Sequence, residues 1–313
     1  LPAWVPRFNR ERHAEKYLSE KWQTIYPKDS YIESTANNTE YEDGIKPGEK
    51  ALLPLDLPSL YKKYGYEIIR KTPFGNSLTF DMARAATLHA IEGEPLGEDD
   101  DVDLLAVSCS STDYIGHQVG PNAVEIEDTY LRLDRSIADF LNYLDKKVGK
   151  GNYLVFLTAD HGAMNNARFL QDRRIPAGAW SNSEIADRLN ARLSEAFPGC
   201  GKIVSEVMNY QVFFDIARIR QQHLDYDSIK QCVVDELLTD SSVHYACDMN
   251  KVMTATIPDN VKRRIINGYC HGRSGDVCSR AAIVGVISVI SVSSVVLPWL
   301  TPHPMKMRGM CVS

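Results

Sequence analysis

The chain has 313 residues, 44% of them hydrophobic and 24% charged, with a formal net charge of −6. That is the composition of one large globular domain or two small ones, and it excludes the basic footprint of a nucleic-acid binder. No internal repeat and no secretory signal peptide is evident, and in a sequence that opens on Leu1 the second point says nothing about compartment.

Residues 1–70 are polar and irregular. Residues 11–22 have the character of a surface helix, and residues 37–50, with their Asn, Gly, Pro and acids, read as an excursion loop. Tyr61, Tyr64 and Tyr66 either line a substrate channel or pack under a loop, and packing is the commoner use. Asn76-Ser77 opens a helix with Leu78, Met82, Ala85, Ala86 and His89 along one side, His89 as a packed histidine. The acidic run over residues 92–103 is a solvated loop.

The informative stretch is residues 102–162. An apolar run, Leu104-Leu105-Ala106-Val107, is followed by Asp113 and His117. Residues 123–147 then carry Ile126, Tyr130, Leu133, Ile137, Leu141 and Leu144 at spacings of three and four, one face of a helix. Asn122 is its expected N-cap; Glu125, Glu127 and Asp128 occupy the first turns, and Lys146 and Lys147 the last, before Gly149 and Gly151. A second apolar run, Tyr153-Leu154-Val155-Phe156-Leu157, ends in Thr158-Ala159-Asp160-His161-Gly162. Strand, helix, strand is a crossover unit with parallel strands, so both carboxyl ends meet one sheet edge. Asp113, His117, Asp160 and His161 converge there, and one helical turn puts Asp113 and His117 on one face. Aspartate with neutral histidine is a good zinc donor set. A single such pair is weak, since caps and satisfied histidines are common; two pairs after two strands of one unit point to metal binding.

Beyond Gly162, the basic stretch 168–174 either meets phosphate oxygens or is a solvated loop. Residues 183–197 form an amphipathic helix capped by Ser183, residues 204–216 two strands around an Asn turn, and Asp227 caps a helix reaching Leu238. A strand over 243–247 and a short helix over 258–266 complete a supplementary α+β part. His223, His244 and His271 show no paired ligand pattern. The seven cysteines, at 109, 200, 232, 247, 270, 278 and 311, contain no CxxC, which argues against a cysteine zinc site. One or two disulfides stay open, and Cys109 reads as a small buried residue.

Ser111-Thr112-Asp113-Tyr114-Ile115-Gly116-His117 and Leu157-Thr158-Ala159-Asp160-His161-Gly162 closely resemble motifs of the alkaline phosphatase superfamily. The branch is similar to the monomeric bacterial phosphatases related to nucleotide pyrophosphatases/phosphodiesterases; Gly120-Pro121-Asn122 and Tyr130-Leu131-Arg132-Leu133-Asp134 fit it too. The resemblance spans residues 1–277 and implies an α/β fold, a mostly parallel sheet with helices on both faces. It implies two zinc ions, one held by Asp113 and His117, the other by Asp160 and His161. It implies zinc-dependent hydrolysis of phosphate monoesters, with phosphodiester or nucleotide pyrophosphate hydrolysis as the alternative. A non-enzymatic fragment or scaffold is the alternative of another class.

The resemblance also implies an incomplete set of parts. The family's first metal-binding Asp, its Thr or Ser nucleophile and its phosphate-holding groups fall upstream of the point matching Leu1. No catalytic nucleophile is therefore assigned, and Ser110, Ser111 and Thr112 lie at the metal motif instead. The His motif that supplies the last zinc ligand is expected after residue 277, where His303 has no family-like context. Residues 278–313 change character, with an apolar run over 281–290 and no strand or helix pattern after 298. They read as a membrane anchor or, preferably, as an out-of-frame or misassembled tail. The expected organisation is thus a partial phosphatase-like domain, residues 1–277, and an atypical tail, 278–313. A phosphate ester substrate, no nucleic acid, no membrane, a monomer, and a periplasmic or extracellular location complete the expectations; the location rests on exported relatives.

Overall fold

A computed structural model describes residues 2–37, 39–46, 48–89, 95–97, 102–175, 177–178, 180–240, 243–281, 292–298 and 307–312. The side chain of His89, most of the acidic run, the apolar stretch 282–290 and His303 lie outside the described residues. In chain order come α1 (Val5–Arg10), α2 (His13–Leu18), β1 (Lys21–Trp22), β2 (Leu55–Asp56), α3 (Leu57–Tyr64) and α4 (Pro73–His89). Then follow β3 (Val102–Cys109), α5 (Ser111–Val119), α6 (Val124–Leu144), β4 (Phe156–Ala159) and α7 (Ala167–Asp172). Next are α8 (Asn182–Ala196), β5 (Val204–Met208), β6 (Gln211–Phe214), α9 (Ile216–Gln221), α10 (Tyr226–Leu238), β7 (Val243–Asp248), α11 (Asp259–Gly268) and β8 (Val277–Ala281). The last two strands are β9 (Val292–Pro298) and β10 (Met307–Val312). The chain divides into two units, residues 1–169 with 287–313, and residues 170–286.

In the first unit the strands are ordered β10-β3-β9-β4. β10 is parallel to β3, and β9 is antiparallel to both β3 and β4. β3, β4 and β10 therefore share one direction, as the crossover demands, while β9 runs between β3 and β4 against them. The sequence shows no strand pattern after residue 298, yet β10 pairs from Met307↔Val102 to Val312↔Val107. A strand beside β3 is held by backbone hydrogen bonds, which need no side-chain alternation.

Leu105, Val107 and Cys109 of β3 pack against Phe80, Ala83 and Ala86 of α4 and Leu133, Phe140 and Leu144 of α6. The helix face expected for α6 is observed: Ile126, Leu133 and Leu144 are buried, and Tyr130, Ile137 and Leu141 are half-buried against the core. The face expected for α4 is rotated. Phe80 is buried with Asn76, Ala83 and Thr87, and its ring lies 5.5 Å from that of Phe140. An aromatic carries more apolar area than Leu78 or Met82, and it sets which side turns inward. β4 also departs from expectation. It lies at an end of the sheet order, and Phe156 and Leu157 are exposed rather than core; only Tyr153 and Val155 of that run pack inward.

Two carboxylates expected merely to face the α6 dipole are buried. Asp128 accepts from Trp22 Nε1 (2.8 Å), the Ile25 amide (2.8 Å), Tyr31 Oη (2.7 Å) and Arg132 Nε (2.7 Å). It ties the irregular N-terminal segment to α6. Tyr61 and Tyr64 pack on the same apolar cluster, whereas Tyr66 is 49% exposed. Glu125, 1% exposed, has no hydrogen-bond partner for either carboxylate oxygen. Burial pushes its pKa up to about 7 from an ordinary 4.5. The folded state thus holds a proton that the unfolded chain has released. The contribution of Glu125 to stability is fully present below pH 4.5 and is lost as pH rises through about 7. Glu125→Gln should flatten that fall in urea unfolding measured from pH 4 to 8; an unchanged pH profile would contradict it.

The second unit has an antiparallel sheet ordered β5-β6-β8-β7. α8 and α10 contribute Ile185, Leu189 and Leu193, and Ile229, Val233 and Leu237, to its core. Asn209 and Tyr210, with φ of 50° and 61°, make the hairpin turn expected between β5 and β6. Two caps sit two residues earlier than expected. Ser181, not Ser183, accepts from the Glu184 amide, and Asp225, not Asp227, accepts from the Ser228 amide. Asp227 instead pairs with Lys230 at 2.8 Å. Cys109, Cys200, Cys232, Cys247, Cys270 and Cys278 are free thiols. Burial pushes Cys109 up to about 12, which fits a packing role.

Candidate metal centre

β3 ends at Cys109, and α5 starts two residues later. Asp113 lies in the first turn of α5 and His117 one turn on, with His117 Nε2 3.4 Å from Asp113 Oδ1. β4 ends at Ala159 and delivers Asp160 and His161 to the same sheet edge. His161 Nε2 lies 3.7 Å from Asp113 Oδ1 and 3.7 Å from Asp160 Oδ2. The four residues singled out from sequence are thus brought together, with Asp113 at their centre.

Asp113 Oδ1 is buried and has no hydrogen-bond partner, although two imidazoles point toward it. A buried carboxylate oxygen left unpaired is costly unless a cation completes it. Two donor atoms bound to one tetrahedral zinc lie about 3.3 Å apart, given bonds of roughly 2.0–2.1 Å. The spacings of 3.4 and 3.7 Å have that character. His161 Nδ1 lies 3.1 Å from the Gly162 carbonyl. A carbonyl only accepts, so that bond puts the proton on Nδ1 and leaves the Nε2 lone pair for a ligand. The donor set therefore fits zinc. Among the described residues no three or more His, Cys, Asp or Glu side chains are grouped so as to hold a metal ion by themselves. The arrangement accordingly offers two protein ligands at a time, not a closed site. Side chains of His117 and Asp160 are 51% exposed, so the edge is open to a substrate.

The surroundings were not legible in the sequence. The Asn122 amide group, expected to cap α6, donates instead to Asn165 Oδ1 at 2.7 Å, and α6 starts after Ala123 with no side-chain cap. The excursion loop lies against the end of α5: Gln118 Nε2 donates to the Gly44 carbonyl (2.6 Å) and the Asp43 amide to the Gln118 carbonyl (2.9 Å). Arg168, offered as a phosphate contact, pairs with the exposed Glu40 at 3.7 Å. Asn76, expected with Ser77 to open its helix, lies inside α4, which starts at Pro73, and reaches from there to the first turn of α5.

The chain belongs to the type I phosphodiesterase / nucleotide pyrophosphatase family, whose model matches residues 4–279. It is 43% identical over 279 residues to alkaline phosphatase PafA of Elizabethkingia meningoseptica, covering 88% of this chain and 50% of that protein. Alkaline phosphatase PhoV of Synechococcus elongatus is 43% identical over 280 residues, covering 88% of this chain and 49% of that protein. A Myroides odoratus protein named calcium-transporting ATPase matches to the same degree, 43% over 279 residues. The crystal structure of wild-type PafA superposes with a TM-score of 0.82 at 34% identity, over 99% of this chain and 61% of that one. The chain spans about half the length of the curated relatives it matches.

Proposed function

We propose that this chain is the metal-binding portion of a zinc-dependent phosphate monoester hydrolase. The observation that carries the reading is the buried Asp113 carboxylate oxygen, which accepts no hydrogen bond, with His117 and His161 drawn up to it at the carboxyl edge of β3 and β4. Asp113 and His117 would hold one zinc ion, Asp160 and His161 the other. A pair of zinc ions there would act as Lewis acids toward the attacking and leaving oxygens of an in-line displacement at phosphorus. Asp113 and Asp160 would supply negative charge to offset the repulsion of two neighbouring cations. The Gly162 carbonyl fixes the His161 tautomer, so the imidazole meets its cation as a lone-pair donor. The organisation that goes with this reading is a phosphatase-like part, residues 1–277, built on the core 102–162; β9 and β10 of the remaining segment, 278–313, pair with β3 and β4.

The names of the relatives share one chemistry, cleavage at phosphorus, whether of a monoester, a diester, a pyrophosphate or ATP. The monoester is favoured because the motif texture around Asp113 and Asp160 is nearest the bacterial phosphatases, and PafA and PhoV are named as such. The family description supports a second reading, phosphodiester or nucleotide pyrophosphate hydrolysis. A monomeric protein exported to the periplasm or beyond fits the same proposal; among the described residues no helix is long and apolar enough to cross a membrane. The chain extended to the span of its relatives should hydrolyse p-nitrophenyl phosphate faster than bis-p-nitrophenyl phosphate in zinc. Preference for the diester would overturn the first reading in favour of the second.

A further inference from the structure

α5, which carries Asp113 and His117, has no cap of its own: its N-cap residue, Ser110, makes no side-chain capping bond. The first backbone donor of a helix still needs a partner when it is buried. That partner comes from another helix. Asn76 of α4, 2% exposed, accepts from the Ser111 amide through Oδ1 at 3.2 Å and donates through Nδ2 to Thr112 Oγ1 at 3.0 Å. Ser111 and Thr112 are themselves buried, so no water substitutes readily for the amide. The neighbouring Gly75 permits the approach, because a Cβ there would sit 2.0 Å from Ser111 Oγ. On the far side of Asp113, the Tyr114 ring lies under the Arg70 guanidinium at 4.9 Å. Residues 70–76 therefore grip 111, 112 and 114, the residues on both sides of Asp113.

We propose that Asn76 is a positioning residue of the metal centre: by capping α5 from α4 it fixes where Asp113 and His117 stand relative to Asp160 and His161. The inference rests on the metal reading given above. It follows because α5 is short, and a helix whose first turn can shift carries its ligands with it. A group bonded directly to a metal ligand is typically worth 10- to 100-fold in affinity; Asn76 bonds Ser111 and Thr112, beside the ligand rather than to it, so the low end of that range is expected.

The test is zinc titration calorimetry on the 313-residue chain, with amide hydrogen exchange over residues 111–119 read on the zinc-free protein. Asn76→Ala should weaken zinc binding about tenfold and raise exchange in α5 relative to α6. Thr112→Val, which keeps volume but deletes the hydroxyl, should weaken binding several-fold, while Thr112→Ser, which keeps the hydroxyl, should stay within about twofold of wild type. The Thr112 pair decides the matter if Asn76→Ala does not fold. Unchanged zinc affinity in Asn76→Ala, or Thr112→Ser as impaired as Thr112→Val, would overturn the proposal, since a purely structural role moves stability and not affinity. A wild-type chain that takes up no zinc would overturn the metal reading and this inference with it; wild-type uptake with indifferent variants overturns this inference alone.

Discussion

Asp128→Ala should destabilise the protein by about 3–5 kcal/mol, the cost of breaking a buried ion pair and its hydrogen bonds. Asp128 is fully buried and receives four donors, from Trp22, Ile25, Tyr31 and Arg132. Removing the carboxylate leaves the indole N–H, a backbone amide and a phenol without their acceptor in a site closed to water. It also leaves the Arg132 guanidinium without its counter-charge. Trp22 and Tyr31 belong to the cluster formed with Leu53, Leu57, Ile68 and Ile126, so the loss loosens the N-terminal segment from α6. The thermal midpoint should fall on the order of 10 °C. Asp134→Ala, at an exposed position six residues further along the same helix, should change stability by less than about 0.5 kcal/mol. Calorimetric unfolding of the two variants checks this; a loss in Asp128→Ala no larger than in Asp134→Ala would show that the network adds little.

The second large effect is expected at Asp113. Its Oδ1 is the atom that both His117 and His161 approach, so it borders both halves of the proposed centre. Asp113→Ala should bring zinc binding by the 313-residue chain below calorimetric detection, while Asp160→Ala and His161→Ala should each weaken it at least tenfold. The wild-type affinity itself should be weak, because two protein ligands leave half of a tetrahedral shell to water or to groups not among those described. His117→Ala should behave like His161→Ala. Asp134→Ala serves again as the indifferent control.

The core of this site was legible because its logic is local. The runs 104–107 and 153–157 announce strands by their apolarity, the spacings from Ile126 to Leu144 announce the helix, and the crossover rule fixes which sheet edge receives Asp113 and Asp160. The helix spacing of Asp113 and His117 needs only five residues of sequence. What failed to show was the support, which depends on contacts between distant segments. Asn122 looks like a cap and instead joins Asn165, 43 positions on. Glu125 and Asp128 look like solvated first-turn acids until the N-terminal segment folds over them. Asn76 is 35 positions from the amide it caps, and no periodicity marks it. The two misplaced caps, expected at Ser183 and Asp227 and found at Ser181 and Asp225, fail for a smaller reason: two candidate oxygens stand two residues apart, and only the backbone turn decides between them. Ser181 with Glu184 does match the capping-box spacing, which was the signal to use.

The exposed apolar residues of β4 mark the limit of pattern reading. Phe156 and Leu157 belong to a run that reads as core, yet both are exposed, on a strand that pairs only with β9 among the described residues. Apolarity records that a strand expects cover; it does not say which segment supplies it.

The measurement that bears most directly on the central claim is zinc titration by calorimetry of the wild-type chain beside Asp113→Ala, Asp160→Ala, His161→Ala and Asp134→Ala. The account predicts weak saturable uptake by wild type and by Asp134→Ala, no detectable uptake by Asp113→Ala, and at least tenfold weaker binding in the other two. Zinc binding that is unchanged in Asp160→Ala and His161→Ala would contradict it, because the ligands would then lie elsewhere.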